Sequence, residues 1–123
     1  MKAFLTLLAA VTMLASTSFA ADGPIRHVVA FKFKSGADPA KIKGVEAEFA
    51  GLKKKINLIQ TLEYGTNSSP EDRAHGYTHM WIVTFKNAAD RDAYIVHPEH
   101  KAFVKLLPEV LDEAFVFDFV PKE

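Results

Sequence analysis

The fold of this 123-residue chain is decided by the stretch GYTHMWIVTFK, residues 76–86. Its alternate positions share one face of an extended segment and are occupied by Tyr77, His79, Trp81, Val83 and Phe85. An alternation with a period of two is typical of a β-strand, because successive side chains of a strand point to opposite faces of its sheet. The stretch is therefore predicted to be a central strand.

Three other segments show the same period and are also predicted to be strands: IRHVVAFKFK at 25–34, IQTLEYGTN at 59–67 and EAFVFDFVP at 113–121. In the last of them, Phe115, Phe117 and Phe119 share one face, and Asp118 lies among valines on the other. Apolar side chains thus occur on both faces of the predicted strands. Such strands need cover on both sides of their sheet.

Helical segments lie between the strands. Residues 39–56 carry apolar side chains at spacings of three and four, which is the period of an amphipathic helix, and Asp38 is its predicted N-cap. Asn87 is predicted to cap a second helix. Pro98 breaks that helix, because proline disfavours helical geometry in the residue before it, and a further helix then runs to about Leu107.

The order β-α-β-β-α-β predicts an α+β, ferredoxin-like fold, with a four-stranded antiparallel sheet and its helices on one face. The other sheet face then lacks cover. The economical solution is a second copy of the chain, packed sheet against sheet. We therefore expect a homodimer.

The first residues, 1–20, have the pattern of a cleaved signal peptide. Lys2 supplies a positive charge, 3–15 form an apolar core, and Ser18-Phe19-Ala20 fits a small-x-small cleavage site. An uncleaved anchor is the alternative, although the apolar run is shorter than the roughly 20 residues that a membrane span needs. The mature domain is predicted to span 21–123 and to be periplasmic or secreted.

The charge balance argues against two classes of partner. The chain has 15 basic and 15 acidic residues, and loss of Lys2 with the signal peptide leaves 14 against 15. A net charge of about −1 gives no electrostatic reason to bind nucleic acid or, after signal cleavage, a membrane. No cysteine is present, so disulfides do not stabilise the domain.

Histidine and tyrosine are the candidate chemical groups. His27 and His79 lie on strand faces shared with large apolar residues, and His97 is the predicted cap of the helix after the break. His100 would be the third residue of that helix, where the positive end of the helix dipole lowers its pKa and suits a general base. Tyr94, one turn before the break, is placed to orient His100 or to donate to an oxyanion. Each residue also has a purely structural interpretation, as a core or capping side chain.

Several segments together resemble the stress-responsive α/β-barrel (Dabb) family of the dimeric α+β barrel superfamily: HVVAFKFK, LEYGTNSSPE, GYTHMWIVTF, YIVHPEHKAF and FDF. The resemblance covers the whole mature chain. It implies a ferredoxin-like subunit that pairs through its sheet into a homodimeric barrel. The best-understood enzyme of the family is a plant polyketide cyclase that performs an aldol condensation without a cofactor.

By that resemblance, Tyr94 and His100 match the catalytic pair of the cyclase, and His27 and His79 match two histidines that line its pocket. The leading hypothesis is an exported dimer that binds a small, partly apolar ligand between sheet and helices. Cofactor-free acid/base chemistry, with His100 as base, is the activity that the resemblance implies.

Three further residues are expected at the ligand, namely Phe49, Trp81 and His97. Trp81 is large for its place and is expected to narrow the cavity. A filled cavity would favour a first alternative, a stress-protective or structural dimer without catalysis. A second alternative is a metal-binding protein, since imidazole is a common zinc and copper ligand, but the sequence shows no complete ligand set and we predict no metal site.

Overall fold

The computed structural model describes residues 23–123. The predicted signal peptide, 1–20, lies outside the described residues. The elements follow one another as β1 (Ile25–Phe33), α1 (Pro39–Lys55), β2 (Ile59–Thr66), β3 (His79–Phe85), α2 (Ala88–Ile95), α3 (Pro98–Val104) and β4 (Leu111–Phe119). Within this part of the chain, no helix is long and apolar enough to cross a membrane.

The four strands form one antiparallel sheet in the order β2-β3-β1-β4. This is the predicted ferredoxin-like α+β architecture. In its register His27 lies opposite Val83 on β3 and opposite Asp118 on β4, whereas His79 lies opposite Phe31. Because a strand advances about 3.3 Å per residue, His27 and His79 are about 13 Å apart along the sheet.

Side-chain caps define where the helices start. The carboxylate of Asp38 accepts from the backbone N–H of Ala40 at 2.9 Å, and Asn87 accepts from that of Asp90 at 2.9 Å. His97 caps α3 in the same way, its Nδ1 accepting from the backbone N–H two residues later at 3.1 Å. All three predicted caps are confirmed, and each satisfies an N–H group that the first helical turn leaves without a partner.

The core lies between the three helices and one face of the sheet. Its largest fully buried side chains come from both layers: Phe31, Phe49, Leu52, Ile56, Trp81, Val83, Phe85 and Tyr94. On β1 and β3 these are the alternate positions that the sequence period predicted to share a face. The core therefore follows from the alternation of the strands and the three-four spacing in α1.

The outer sheet face is apolar, and nothing in residues 23–123 covers it. Met80, Phe115, Phe117 and Phe119 are each between 43% and 56% exposed there. A groove of about 730 Å³ runs over this face between β2, β3 and the loop 67–78. The uncovered face agrees with the prediction that one layer of helices is insufficient for this sheet.

Several boundaries differ from the prediction, and β4 spans Leu111–Phe119 where 113–121 was predicted. β3 begins at His79, because the N–H of Tyr77 closes a turn onto the carbonyl of Ala74 at 3.0 Å. The Tyr77 ring lies beside Phe115 on the outer face, with centroids 6.4 Å apart, so the prediction that Tyr77 shares the face of His79 and Trp81 is wrong. The last helix ends at Val104 because tighter three-residue turns follow it.

Candidate active site

The break between α2 and α3 brings Tyr94 and His100 together. Tyr94 lies in the last turn of α2 and is fully buried, and His100 is the third residue of α3. The N–H of His97 donates to the carbonyl of Tyr94 at 3.0 Å, which closes the turn between the helices. The two rings consequently lie with their centroids 4.5 Å apart, at an angle of 47°.

The ring of His100 is held with one nitrogen available as a base. Its Nδ1 donates to the carbonyl oxygen of Ile95 at 2.9 Å, and because a carbonyl only accepts, Nδ1 carries the proton. The neutral ring then has its lone pair on Nε2. Burial lowers the pKa of His100, the bond to Ile95 partly opposes that effect, and His27 and His97 add to it. The ring is therefore neutral near pH 7, as a general base must be.

The hydroxyl of Tyr94 is buried and has no hydrogen-bond partner among the residues that the structure describes. Burial raises the pKa of Tyr94, so the hydroxyl keeps its proton and acts as a donor. Leaving such a group unpaired costs about 1–3 kcal/mol. A buried donor without an acceptor, next to a neutral imidazole, marks a place where an oxygen atom of a ligand would be stabilised.

His27 approaches the same site from β1. Its ring centroid lies 5.9 Å from that of Tyr94, and its Nδ1 donates to Asp118 Oδ1 at 2.7 Å. The second oxygen of Asp118 accepts from Arg91 Nη1 at 2.8 Å, and Arg91 Nε donates to Asp92 Oδ1 at 2.8 Å. The site thus consists of the Tyr94 and His100 pair and a second histidine supported by a carboxylate and an arginine.

Asp118 and Arg91 are the two site residues that the sequence analysis missed. Asp118 has a sequence signal, since it is the one charged residue in the run FVFDFV. Its partner follows only from the strand register, which sets Asp118 opposite His27. Arg91 lies on a charged helix surface and has no comparable signal.

His79 does not join this group. Its ring stacks on Trp81 with centroids 5.8 Å apart and meets Phe33 edge-on at 5.1 Å. Its Nδ1 lies 2.8 Å from Thr78 Oγ1, and its Nε2 lies 3.9 Å from a carboxylate oxygen of Glu46. The structure therefore places His79 at the far end of the layer between sheet and helices.

Phe49 and Trp81 occupy the space between the two histidine ends. Their rings are stacked with centroids 4.6 Å apart and an angle of 4°, and both side chains are buried. The indole Nε1 of Trp81 is a second buried donor without a partner among the described residues. The groove of about 730 Å³ lies on the other side of the sheet and does not reach Tyr94 or His100. The interior beside the site is thus filled by aromatic rings.

His97 faces the first turn of α3 as its cap, which gives it a structural role. Among residues 23–123, no group of three or more His, Cys, Asp or Glu side chains is placed to hold a metal ion. The metal-binding alternative thus finds no ligand set in the part of the chain that the structure describes.

The comparisons with known proteins identify the family. Residues 25–121 match the model of the Stress responsive A/B Barrel Domain, Dabb. The chain belongs to the Dabb family. A Dabb relative, the stress-response A/B barrel domain-containing protein HS1 of Arabidopsis thaliana, is 34% identical over 101 residues, which is 82% of this chain and 93% of the relative.

Two relatives of this Dabb chain are named as enzymes. The olivetolic acid cyclase of Cannabis sativa is 24% identical over 80% of this chain and 98% of its own length. The solved structure of a hydroxynitrile lyase from Passiflora edulis is 27% identical, covers 83% of this chain and 96% of the lyase, and superposes with a TM-score of 0.76. Several other similar structures are described as dimeric and ferredoxin-like. The family resemblance and the fold predicted from the sequence are confirmed.

The first testable consequence concerns the protonation of His100. Because burial lowers its pKa in the folded protein below the ordinary 6.5, the unfolded chain binds more protons as the pH falls through this range. His100 thus contributes stability above about pH 6.5 that is lost at lower pH. Urea unfolding at about pH 7.5 and 5.5 should show a larger loss for the parent chain than for His100→Gln. An NMR titration midpoint for His100 at or above 6.5 would contradict this account.

Proposed function

We propose that the protein binds a small, partly apolar carbonyl compound or hydroxynitrile and performs cofactor-free acid/base chemistry on it. The observation that carries this proposal is the buried hydroxyl of Tyr94, which has no hydrogen-bond partner among the described residues. The ring of Tyr94 lies next to that of a neutral His100, with the ring centroids 4.5 Å apart. A hydrogen-bond donor and a base on adjacent rings are the components that such chemistry needs.

In the proposed reaction on a ketone, His100 Nε2 takes a proton from the carbon next to the carbonyl group. The electron pair of the broken C–H bond moves onto the carbonyl oxygen as an enolate forms. The hydroxyl of Tyr94 donates to that oxygen and stabilises its negative charge. On a hydroxynitrile, the same base takes the hydroxyl proton, the C–C bond to the nitrile breaks, and cyanide leaves as the carbonyl compound forms.

The size of the substrate is limited by Phe49 and Trp81. Their stacked rings fill the layer between the sheet and α1, so a ligand at Tyr94 has little room in that direction. We therefore propose a substrate of about one aromatic ring with a short side chain. The cyclase and the lyase among the relatives support the class of reaction, and the filled interior supports the small size.

A second candidate function is a stress-protective or structural dimer without catalysis. The filled layer around Phe49 and Trp81 favours it, and the groove on the outer sheet face does not reach Tyr94. The two candidates differ in what happens to turnover when single site residues are replaced.

His100→Ala should lower kcat by about 10²- to 10⁴-fold, since it removes the base. Tyr94→Phe removes only the donor and should lower kcat by about 10²- to 10³-fold. Turnover is measured with a panel of small hydroxynitriles by release of aldehyde, and with acetophenone in D₂O by exchange at the methyl group.

The matched control is His75→Asn, a histidine replacement in the exposed loop on the other side of the sheet. Asparagine tolerates the positive φ of 55° at this position, so the loop should keep its conformation. It should leave turnover at the parent level. Equal turnover in all four proteins, or none in the parent chain, would favour the non-catalytic candidate.

We further propose that the mature protein is an exported homodimer in which two outer sheet faces meet. The ridge of Phe117 and Phe119 lies on edge strand β4, and the groove lies over β2 and β3 at the other side of the same face. A two-fold axis would place the ridge of each copy over the groove of the other. The dimeric structures among the relatives support the pairing, and the N-terminal pattern of Lys2, 3–15 and the cleavage site supports export.

Native mass spectrometry of the protein from its producing cells tests both the homodimer and the cleavage of the signal peptide. We expect the mass of two chains that each begin at Ala21. Phe117→Asp places a charge in the apolar interface and should give monomers, whereas Val96→Asp, at a site 61% exposed on the helix side, should not. A monomeric parent chain would refute the pairing, and a retained residue 1 would refute cleavage.

A further inference from the structure

Arg91 connects the candidate site to the surface of α2. Its Nη1 donates to Asp118 Oδ2 and its Nε donates to Asp92 Oδ1, both at 2.8 Å. The other oxygen of Asp118 accepts from His27 Nδ1 at 2.7 Å. Arg91, Asp118 and His27 therefore form a chain of charge-assisted hydrogen bonds across α2, β4 and β1.

The bond from Arg91 fixes the orientation of the Asp118 carboxylate toward His27. With one oxygen engaged by the guanidinium, the carboxylate cannot turn away, and Oδ1 stays on His27 Nδ1. The proton of a neutral His27 ring is then on Nδ1, and its lone pair is on Nε2. The side chains of Arg91 and Asp118 are both 22% exposed, so this control is exerted at the edge of the core.

We propose that Arg91 is the positioning residue of this site, which fixes Asp118 and through it holds Nδ1 of His27, so that Nε2 is the ring nitrogen left for a ligand at Tyr94. The inference deepens the proposed function, since an oriented His27 gives the site a second ring nitrogen beside that of His100. The test of this positioning role needs no substrate, so its result is independent of any measurement of turnover.

The other groups around His27 do not take over this role. The groups around His27 come from the strands and helices packed against β1. They are Asp118 on β4, Tyr94 and Arg91 on α2, His100 on α3, and the apolar Val83 and Phe85 on β3. Asp118 is the anion in contact with the ring, and Arg91 is the fixed cation bound to that anion. Replacement of Arg91 therefore frees the carboxylate that holds the ring of His27.

The experiment records long-range ¹H–¹⁵N NMR spectra of His27, which distinguish the two ring nitrogens. In the parent chain at about pH 7.5, we expect the Nδ1–H tautomer. In Arg91→Gln, Asp118 is free to turn away from the ring, so the Nδ1–H tautomer should lose population to the Nε2–H tautomer.

Matched variants separate loss of the Arg91–Asp118 bond from other changes at Arg91. Arg91→Lys keeps a cationic donor for Asp118 and should keep the Nδ1–H tautomer of His27. Asp92→Asn removes the other carboxylate at Arg91 without touching Asp118 and should also keep this tautomer. Arg91→Met serves as a second variant without the donor, with the same change of tautomer expected if Arg91→Gln fails to fold.

The same population of the Nδ1–H tautomer in Arg91→Gln, Arg91→Met and Asp92→Asn would overturn the proposal. So would the Nε2–H tautomer in the parent chain. If the tautomer of His27 changes as expected but no substrate is turned over, the positioning role of Arg91 holds and the proposed catalysis fails. If the tautomer does not change while His100→Ala abolishes turnover, the reverse conclusion applies.

Discussion

A four-stranded sheet has two faces, and the helices of this chain cover one of them. Apolar side chains occur on both, because the residues of β3 and β4 that point away from the helices include Met80, Phe115 and Phe117. The core on the helix side is buried within the single chain, and the outer face is uncovered among the described residues. The division matters for function, since the candidate site lies on the helix side and the proposed interface on the other.

The site itself depends on the break in the second helical segment. Pro98 begins a new helix at the point where Tyr94 ends the previous one, and the change of direction sets His100 against the Tyr94 ring. Burial lowers the pKa of His100 and raises that of Tyr94, which keeps the imidazole neutral and the phenol protonated. His27 adds a second imidazole, oriented by a carboxylate on the neighbouring strand.

Most of the fold was predictable from local patterns, and the site only in part. The period of two assigned the faces of the strands, and the proline with its preceding histidine assigned the cap of α3. The Asp118 contact depends on the register of β1 with β4, which no local pattern contains. The separation of His79 from His27 also depends on register, because both lie on the same face and only the pairing shows that they are at opposite ends. Arg91 was missed because its partner is remote in sequence.

The central claim is that the hydroxyl of Tyr94 is unpaired because it serves a ligand oxygen. The most direct measurement is an NMR titration of the parent chain and of Tyr94→Phe with acetophenone. We predict chemical-shift changes at Tyr94 and His100 and a dissociation constant about tenfold weaker in the variant, the equivalent of one hydrogen bond. Equal dissociation constants, no binding to the parent chain, or changes confined to the groove on the outer face would contradict the account.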